Sequence, residues 1–194
     1  MAASESLKIQ PLTPGRWPDL EMLFGHNGAC GGCWCMWWRI KRSDFEQRKG
    51  AANKRAFKKL VTSGVQPGLL AYDDGVPVGW CAVEPRESYP VLQRSRILKP
   101  VDDKPVWSVT CFFVRRDYRG KGVSRALLRA TIDQVGRNGG RFVEGYPVEP
   151  RKDKMPDAFA WSGIASAFRQ EGFTEVARRS ETRPIFRYPI GAAK

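Results

Sequence analysis

The feature that most constrains this chain is a change of hydrophobic period within one segment, Val106–Val135. Its first part, Val106–Val114, reads VWSVTCFFV. β-Branched and aromatic residues dominate this run and neither face is consistently polar, which is typical of a strand buried on both sides. From Val123 onward, apolar residues recur at helical spacing while arginines line the opposite side. The segment therefore predicts a buried strand, a polar turn and an amphipathic helix.

The turn between these two elements has the composition of a phosphate-binding loop. Arg119, Gly120, Lys121 and Gly122 place two glycines and two cations where the helix starts. The first amides of a helix attract anions, and glycine lets a phosphate approach the backbone closely. The dinucleotide-binding fingerprint is excluded because Arg125 stands where its third glycine belongs, and the spacing does not match a P-loop. An ordinary strand–turn–helix is the alternative interpretation.

The string VRRDYRGKGVSRALL, from Val114 to Leu128, resembles the acyl-CoA-binding motif of the GNAT superfamily of N-acetyltransferases. That motif follows a strand and reads Gln or Arg, two residues, Gly, one residue, then Gly or Ala. Here it runs from Arg119 to Ser124, and Ser124 replaces the last small residue. A second string, FRQEGF from Phe168, is similar to the end of the family's fourth helix, where many relatives have a tyrosine in place of Phe168.

The resemblance covers most of the chain and implies a GNAT-like α/β fold. This fold has one mixed sheet whose fourth and fifth strands splay apart, with helices on both faces. We expect a single domain over residues 1–194, since no repeat or linker divides the sequence. Pantetheine would lie between the splayed strands, and the pyrophosphate at the helix start. The residues that the resemblance assigns to acetyl-CoA are Phe112, Phe113, Val114, Arg119, Gly120, Lys121, Gly122, Val123, Ser124 and Arg125.

The remaining patterns predict an ordered series of elements. Further strands are expected at Leu7–Leu12, Leu69–Tyr72, Val78–Val83, Arg141–Val148, Thr174–Ser180 and Arg183–Tyr188. Further helices are expected at Trp17–Phe24, from a capping box that begins at Ser43 to about Val61, and at Ala158–Glu171.

Direct acyl transfer needs a base for the acceptor ammonium, donors for the oxyanion and an acid for the leaving thiolate. Glu84, at the end of the predicted hairpin, and Glu144, within a strand, are the candidate bases. Either of them is also compatible with a solvent-facing or salt-bridged carboxylate, and a water relay is a third route. Because Phe168 has no proton to give, Tyr146 is the nearest candidate acid by sequence.

A second unusual segment, HNGACGGCWCMWWR, runs from His26 to Arg39. Its three cysteines, Cys30, Cys33 and Cys35, and the histidine invite a zinc interpretation. Structural zinc sites usually combine two separated ligand pairs, however, and here all four groups would come from one short arc. We therefore expect free thiols and no metal.

The same segment carries a dense group of aromatic residues, Trp34, Trp37 and Trp38. They are predicted either to pack in the core or to border the acceptor, which in GNAT-like folds lies near the connection between the first two helices. Aromatic faces there would hold a cation or stack on a flat ligand. Arg39 could orient an acceptor carboxylate through its planar fork.

The composition indicates a protein of a reducing compartment. The five cysteines are an odd number, the first residues lack a secretory-signal pattern, and no apolar run is long enough for a membrane span. We therefore expect a cytoplasmic protein without a membrane partner. The net charge of +13 attracts polyanions: part of it would serve coenzyme A, nucleic acid is the less favoured partner, and a dispersed hydrated surface is the third explanation.

The expected function is transfer of an acetyl group from acetyl-CoA to a primary amine of a small molecule or peptide. The alternative is a non-catalytic acyl-CoA-binding or nucleic-acid-binding protein on the same fold. The sequence leaves a homodimer open.

Overall fold

Seven strands form one mixed sheet in the computed structural model, which describes residues 7–150 and 161–191. The strands are β1 (Lys8–Pro11), β2 (Gly68–Asp73), β3 (Val76–Pro85), β4 (Trp107–Val114), β5 (Phe142–Gly145), β6 (Thr174–Arg178) and β7 (Pro184–Pro189). Their spatial order is β1-β2-β3-β4-β5-β7-β6. Only β4 and β5 are parallel within the described part of the chain, and a helix connects them, as a parallel pair requires.

Helices cover both faces of this sheet, as the sequence predicted. They are α1 (Trp17–Phe24), α2 (Arg42–Arg48), α3 (Ala51–Thr62), α4 (Pro90–Gln93), α5 (Val123–Arg137) and α6 (Ala165–Gln170). Alternation along β3 divides the core in two: Trp80 packs with α1 and α3, whereas its neighbour Cys81 packs with α5 and α6. No helix among the described residues has the length and apolar character that crossing a membrane requires.

The strands β4 and β5 are paired over only three residues. Residues 107–109 of β4 pair with residues 143–145, after which β5 ends while β4 continues to Val114. Residues 110–114 therefore have no neighbouring strand on that side among the residues described. The register with β3 slips at the same point, so Thr110 is an extra residue that bends β4. The predicted splay of the central strands is confirmed.

Two local predictions were wrong in detail. The helix expected from Ser43 to about Val61 is two helices, because Gly50 has a φ of 80° and interrupts the helical path. The capping box does not form: α2 begins at Arg42 without a side-chain cap, and the Ser43 hydroxyl bonds to Asp44 Oδ1 at 3.2 Å.

The region after β5 also differs from its prediction. The strand ends at Gly145 rather than Val148, and Val148 instead forms an isolated bridge to Ile164. The following helix begins at Ala165; the predicted start at Ala158 lies outside the described residues. The short helix α4 was not predicted.

Candidate functional site

The start of α5 offers a group of backbone amides. Gly122 caps the helix in the left-handed conformation with a φ of 83°, and Gly120 has a φ of 73°. Residues with a side chain rarely adopt these angles, which explains both glycines. The Ala126 amide donates to the Gly122 carbonyl at 3.0 Å and is the first to find an acceptor within the helix. The amides of residues 123–125 therefore have no partner within α5.

These amides fit a diphosphate. The first turn of α5 contains no acidic residue, and a Cβ atom on Gly120 would meet no other atom within 4 Å, so space is available beside the loop. Lys121 lies close by, with its Nζ 5.1 Å from the centre of the Tyr118 ring. The positive end of the helix dipole and the free amides favour an anion at this point. Arg125 contributes less, because its guanidinium is bound to Glu171.

The unpaired edge of β4 leads directly into this loop. The side chains of Phe112 and Phe113 belong to opposite faces of the sheet, with Phe112 packed towards α5 and Phe113 towards α1. Their backbone groups and those of Val114 lie on the stretch that β5 leaves uncovered. The residues assigned to pantetheine and pyrophosphate are thus continuous in space.

Glu84 and Arg39 form a buried ion pair on the α1–α3 face of the sheet. Their side chains are only 7% and 8% exposed, respectively, and Arg39 donates to Glu84 Oε2. The Arg39 guanidinium also lies over the Tyr89 ring, 4.8 Å from its centre. The candidate base, Glu84, is therefore already paired with a cation. Arg39, which was expected to bind an acceptor carboxylate, is already paired with an anion.

Glu144 lies at the centre of a second buried polar network. Its carboxylate accepts from Arg187 Nε at 2.9 Å, from Arg86 Nη1 at 3.4 Å and from the Tyr146 hydroxyl at 3.1 Å. The hydroxyls of Tyr146 and Ser108 are 2.8 Å apart. Burial, and then the charge of Glu144, raise the pKa of Tyr146. Tyr146 therefore holds its proton more firmly than an exposed tyrosine does.

The two networks belong to one row of polar side chains across the sheet. Glu84 of β3 pairs with Ser108 of β4, Ser108 with Glu144 of β5, and Glu144 with Arg187 of β7. All four residues are buried. Residues directly opposite each other on neighbouring strands share a face, so the four side chains lie on one face of the sheet. Ser108 and Glu144 belong to the short paired stretch of β4 and β5, next to the point where these strands separate.

The tryptophans of the His26–Arg39 segment occupy two different places. Trp34 is 3% exposed and stacks on Trp17 in the core, with ring centres 5.9 Å apart. Trp37 and Trp38 are partly exposed and adjoin a third ring, Trp161.

The cysteines of this segment are free thiols, as are Cys81 and Cys111. Cys35 is buried, and its sulfur accepts from Trp80 Nε1 at 3.0 Å. The hydrogen bond with Cys111 and this indole lower the pKa of Cys35 although burial opposes them, whereas burial raises that of Cys33 to about 12. The described residues contain no group of three or more His, Cys, Asp or Glu side chains arranged for a metal ion.

Comparison with protein-family models matches residues 34–154 to the family described as Acetyltransferase (GNAT) family. The match spans more than half of the chain and includes the β4–turn–α5 unit. This chain belongs to the GNAT acetyltransferase family. A comparison with curated protein sequences found no significant match.

Solved acetyltransferases share the fold at low sequence identity. A GCN5-related N-acetyltransferase from Kribbella flavida is 18% identical with a TM-score of 0.56, and the alignment covers 95% of this chain and 98% of that chain. The paia N-acetyltransferase of Thermoplasma acidophilum, in complex with coenzyme A, is 14% identical with a TM-score of 0.53, covering 95% and 99%. The yncA structure from Salmonella typhimurium, with its cofactor acetyl-CoA, is 15% identical with a TM-score of 0.54, covering 97% and 96%.

Sequence reasoning missed several residues of this acetyltransferase that contact the predicted ones. They are Arg86, Tyr89, Ser108, Trp161 and Arg187. Each reaches its partner across strands or from a distant loop, and no local spacing marks such a contact.

Proposed function

We propose that the protein transfers the acetyl group of acetyl-CoA to the amine of a small-molecule or peptide acceptor. The observation that carries this proposal is the continuity between the uncovered edge of β4 and the unpartnered amides at the start of α5. A peptide-like pantetheine chain suits the first, and a diphosphate suits the second. Membership of the GNAT acetyltransferase family supports the reaction class.

The chain's own residues have two tasks in this proposal. The amides of residues 123–125 and Lys121 hold the pyrophosphate, and the backbone of residues 112–114 aligns the pantetheine. Acetyl-CoA supplies an activated thioester when bound. Because Glu84 and Glu144 both carry buried ion pairs, we infer that the proton of the acceptor ammonium leaves through water rather than directly to either carboxylate.

We infer a cytoplasmic protein from its thiols, because five cysteines without a disulfide fit a reducing compartment.

The cofactor site is tested with Gly122→Asp. The substitution adds a carboxylate where the phosphate should lie, and we expect acetyl-CoA affinity to fall at least about tenfold. Gly139→Asp is the matched control, because Gly139 has a φ of 76° at the other end of α5 and a Cβ there meets nothing within 4 Å. Isothermal titration calorimetry measures both.

Equal affinity of wild type and Gly122→Asp, with both folded, would refute the site. Release of free CoA over a panel of primary amines tests turnover. Binding of acetyl-CoA without turnover of any amine would support the non-catalytic alternative.

A further inference from the structure

Trp161 packs beside the two partly exposed tryptophans that the sequence analysis named, Trp37 and Trp38, so that three indole rings lie together at the surface. The centre of the Trp161 ring lies 6.2 Å from that of Trp37 and 5.9 Å from that of Trp38. The Trp37 and Trp38 ring centres are 6.5 Å apart. All three side chains are partly exposed. We call this group the tryptophan wall. Its members come from the loop before α2 and from the segment before α6, which are distant in sequence.

The segment that carries Trp161 contacts the part of β4 that is proposed to align the pantetheine. Trp161 is followed by Ser162 and Gly163, and a Cβ on Gly163 would lie 3.1 Å from the Phe112 ring. The segment therefore rests directly on β4 beyond the end of β5. On the other side, the Trp38 carbonyl accepts from the Val91 amide at 3.1 Å, which fixes its backbone. Because the thioester lies at the end of the pantetheine, an acceptor amine that approaches it past this segment would bring its neighbouring group against these rings.

The charges around the wall oppose a polycationic acceptor. The Arg42 guanidinium already lies 4.2 Å from the centre of the Trp37 ring. Two carboxylates of this region are already paired: Glu84 with Arg39, and Glu46 with Arg42 and Lys49. A second cation would therefore meet like charge at Arg42, whereas a flat apolar ring would gain edge or face contact with two indoles.

We propose that the acceptor carries an aromatic ring close to its amine and that Trp161, together with Trp38, binds this ring. The inference rests on the proposed acetyl transfer and narrows it to a substrate class. The ring belongs either to a free arylalkylamine or to the first residue of a peptide.

The test uses the full chain with acetyl-CoA and four acceptors. Phenethylamine and 2-cyclohexylethylamine are similar in size and differ in aromaticity, spermidine is a polycation, and a short peptide that begins with phenylalanine represents the second source. The variants are Trp161→Leu, which removes the ring, Trp161→Phe, which restores one, and Trp107→Leu, a partly exposed tryptophan at the far end of β4. Calorimetric titration with phenethylamine in the presence of CoA reads acceptor binding without turnover.

We expect phenethylamine or the phenylalanine peptide to be used best, and the better of the two identifies the source of the ring. Trp161→Leu should raise KM for that acceptor about three- to tenfold and weaken its binding equally, with Trp161→Phe recovering part of the loss and Trp107→Leu unchanged. Acetyl-CoA affinity should stay constant in all variants. Equal use of spermidine or the cyclohexyl amine, or no effect of Trp161→Leu, overturns the inference and leaves acetyl transfer standing. Failure to bind acetyl-CoA or to acetylate any amine overturns both.

Discussion

At the scale of single residues, the pairing of Glu84 with Arg39 decides what either side chain contributes. Both are less than a tenth exposed, so removing one charge leaves the other buried and unpaired. We expect Glu84→Gln to lower the free energy of unfolding by about 3 kcal/mol, and the double variant with Arg39→Gln to recover part of that loss. Urea denaturation measures both. A free catalytic base would behave differently, since its loss lowers kcat without lowering stability.

The control for this prediction is an ion pair at the surface. Arg115 and Asp117 are 38% and 60% exposed and lie 2.7 Å apart, so Asp117→Asn should leave the free energy of unfolding nearly unchanged. If Glu84→Gln proves as stable as wild type while kcat falls, Glu84 is the base and the pair contributes little to the fold.

The same residues show how far the sequence could lead. The sequence predicts Glu84, Glu144 and Tyr146 as ionisable groups near the central strands, and all three lie on or next to the row of polar side chains across the sheet. Their partners were not predictable, because Arg39 and Arg86 reach them from loops whose paths depend on the packed core. Trp161 was missed for the same reason.

At the scale of elements, the β4–turn–α5 unit was predictable because its signals are local. The structure places β4 at Trp107–Val114 and the start of α5 at Val123, within one residue of the prediction. The break between α2 and α3 was missed, although Gly50 lies in the sequence at that point. A glycine within a helical pattern does not reveal by itself whether its φ will be positive.

The packing of α6 against β5 leads to a testable prediction. A Cβ atom on Gly145 would lie 2.0 Å from the Phe168 ring, which is fully buried between this strand and the core. Gly145→Ala must therefore displace α6, and we expect a loss of about 1–3 kcal/mol. Gly136→Ala is the comparison: it is the second-last residue of α5, its Cβ would be 3.4 Å from Ile190, and alanine should stabilise the protein by less than about 1 kcal/mol.

Thermal melts followed by circular dichroism report both substitutions. A Gly145→Ala variant that melts like wild type would show that Phe168 can move without cost. The Phe168 side chain would then be mobile, instead of fixed in the core.

At the scale of the whole molecule, arginines dominate the ion pairs that join distant parts of the chain. Arg187 of β7 binds both Glu144 and Asp102, and Arg169 and Arg178 share Glu149. The net charge of +13 opposes the compact state through repulsion, and these carboxylates offset part of that repulsion.

Acid should therefore destabilise the protein over a defined pH range. Hydrogen bonding to Arg187 lowers the pKa of Asp102 from 3.8 to about 2, and hydrogen bonding to Arg169 and Arg178 lowers that of Glu149 from 4.5 to about 2. Between pH 2 and pH 4.5 the unfolded chain binds protons that the folded chain does not. The contribution of these carboxylates to the free energy of unfolding is therefore fully present above pH about 4.5 and is lost as the pH falls towards 2.

Asp102→Asn should make this decline shallower. Asp103→Asn should not, because Asp103 is exposed and has no ion-pair partner among the described residues. Urea titrations from neutral pH to pH about 2 measure the slopes, and parallel slopes for wild type and Asp102→Asn would show that the Arg187 pair does not couple folding to pH.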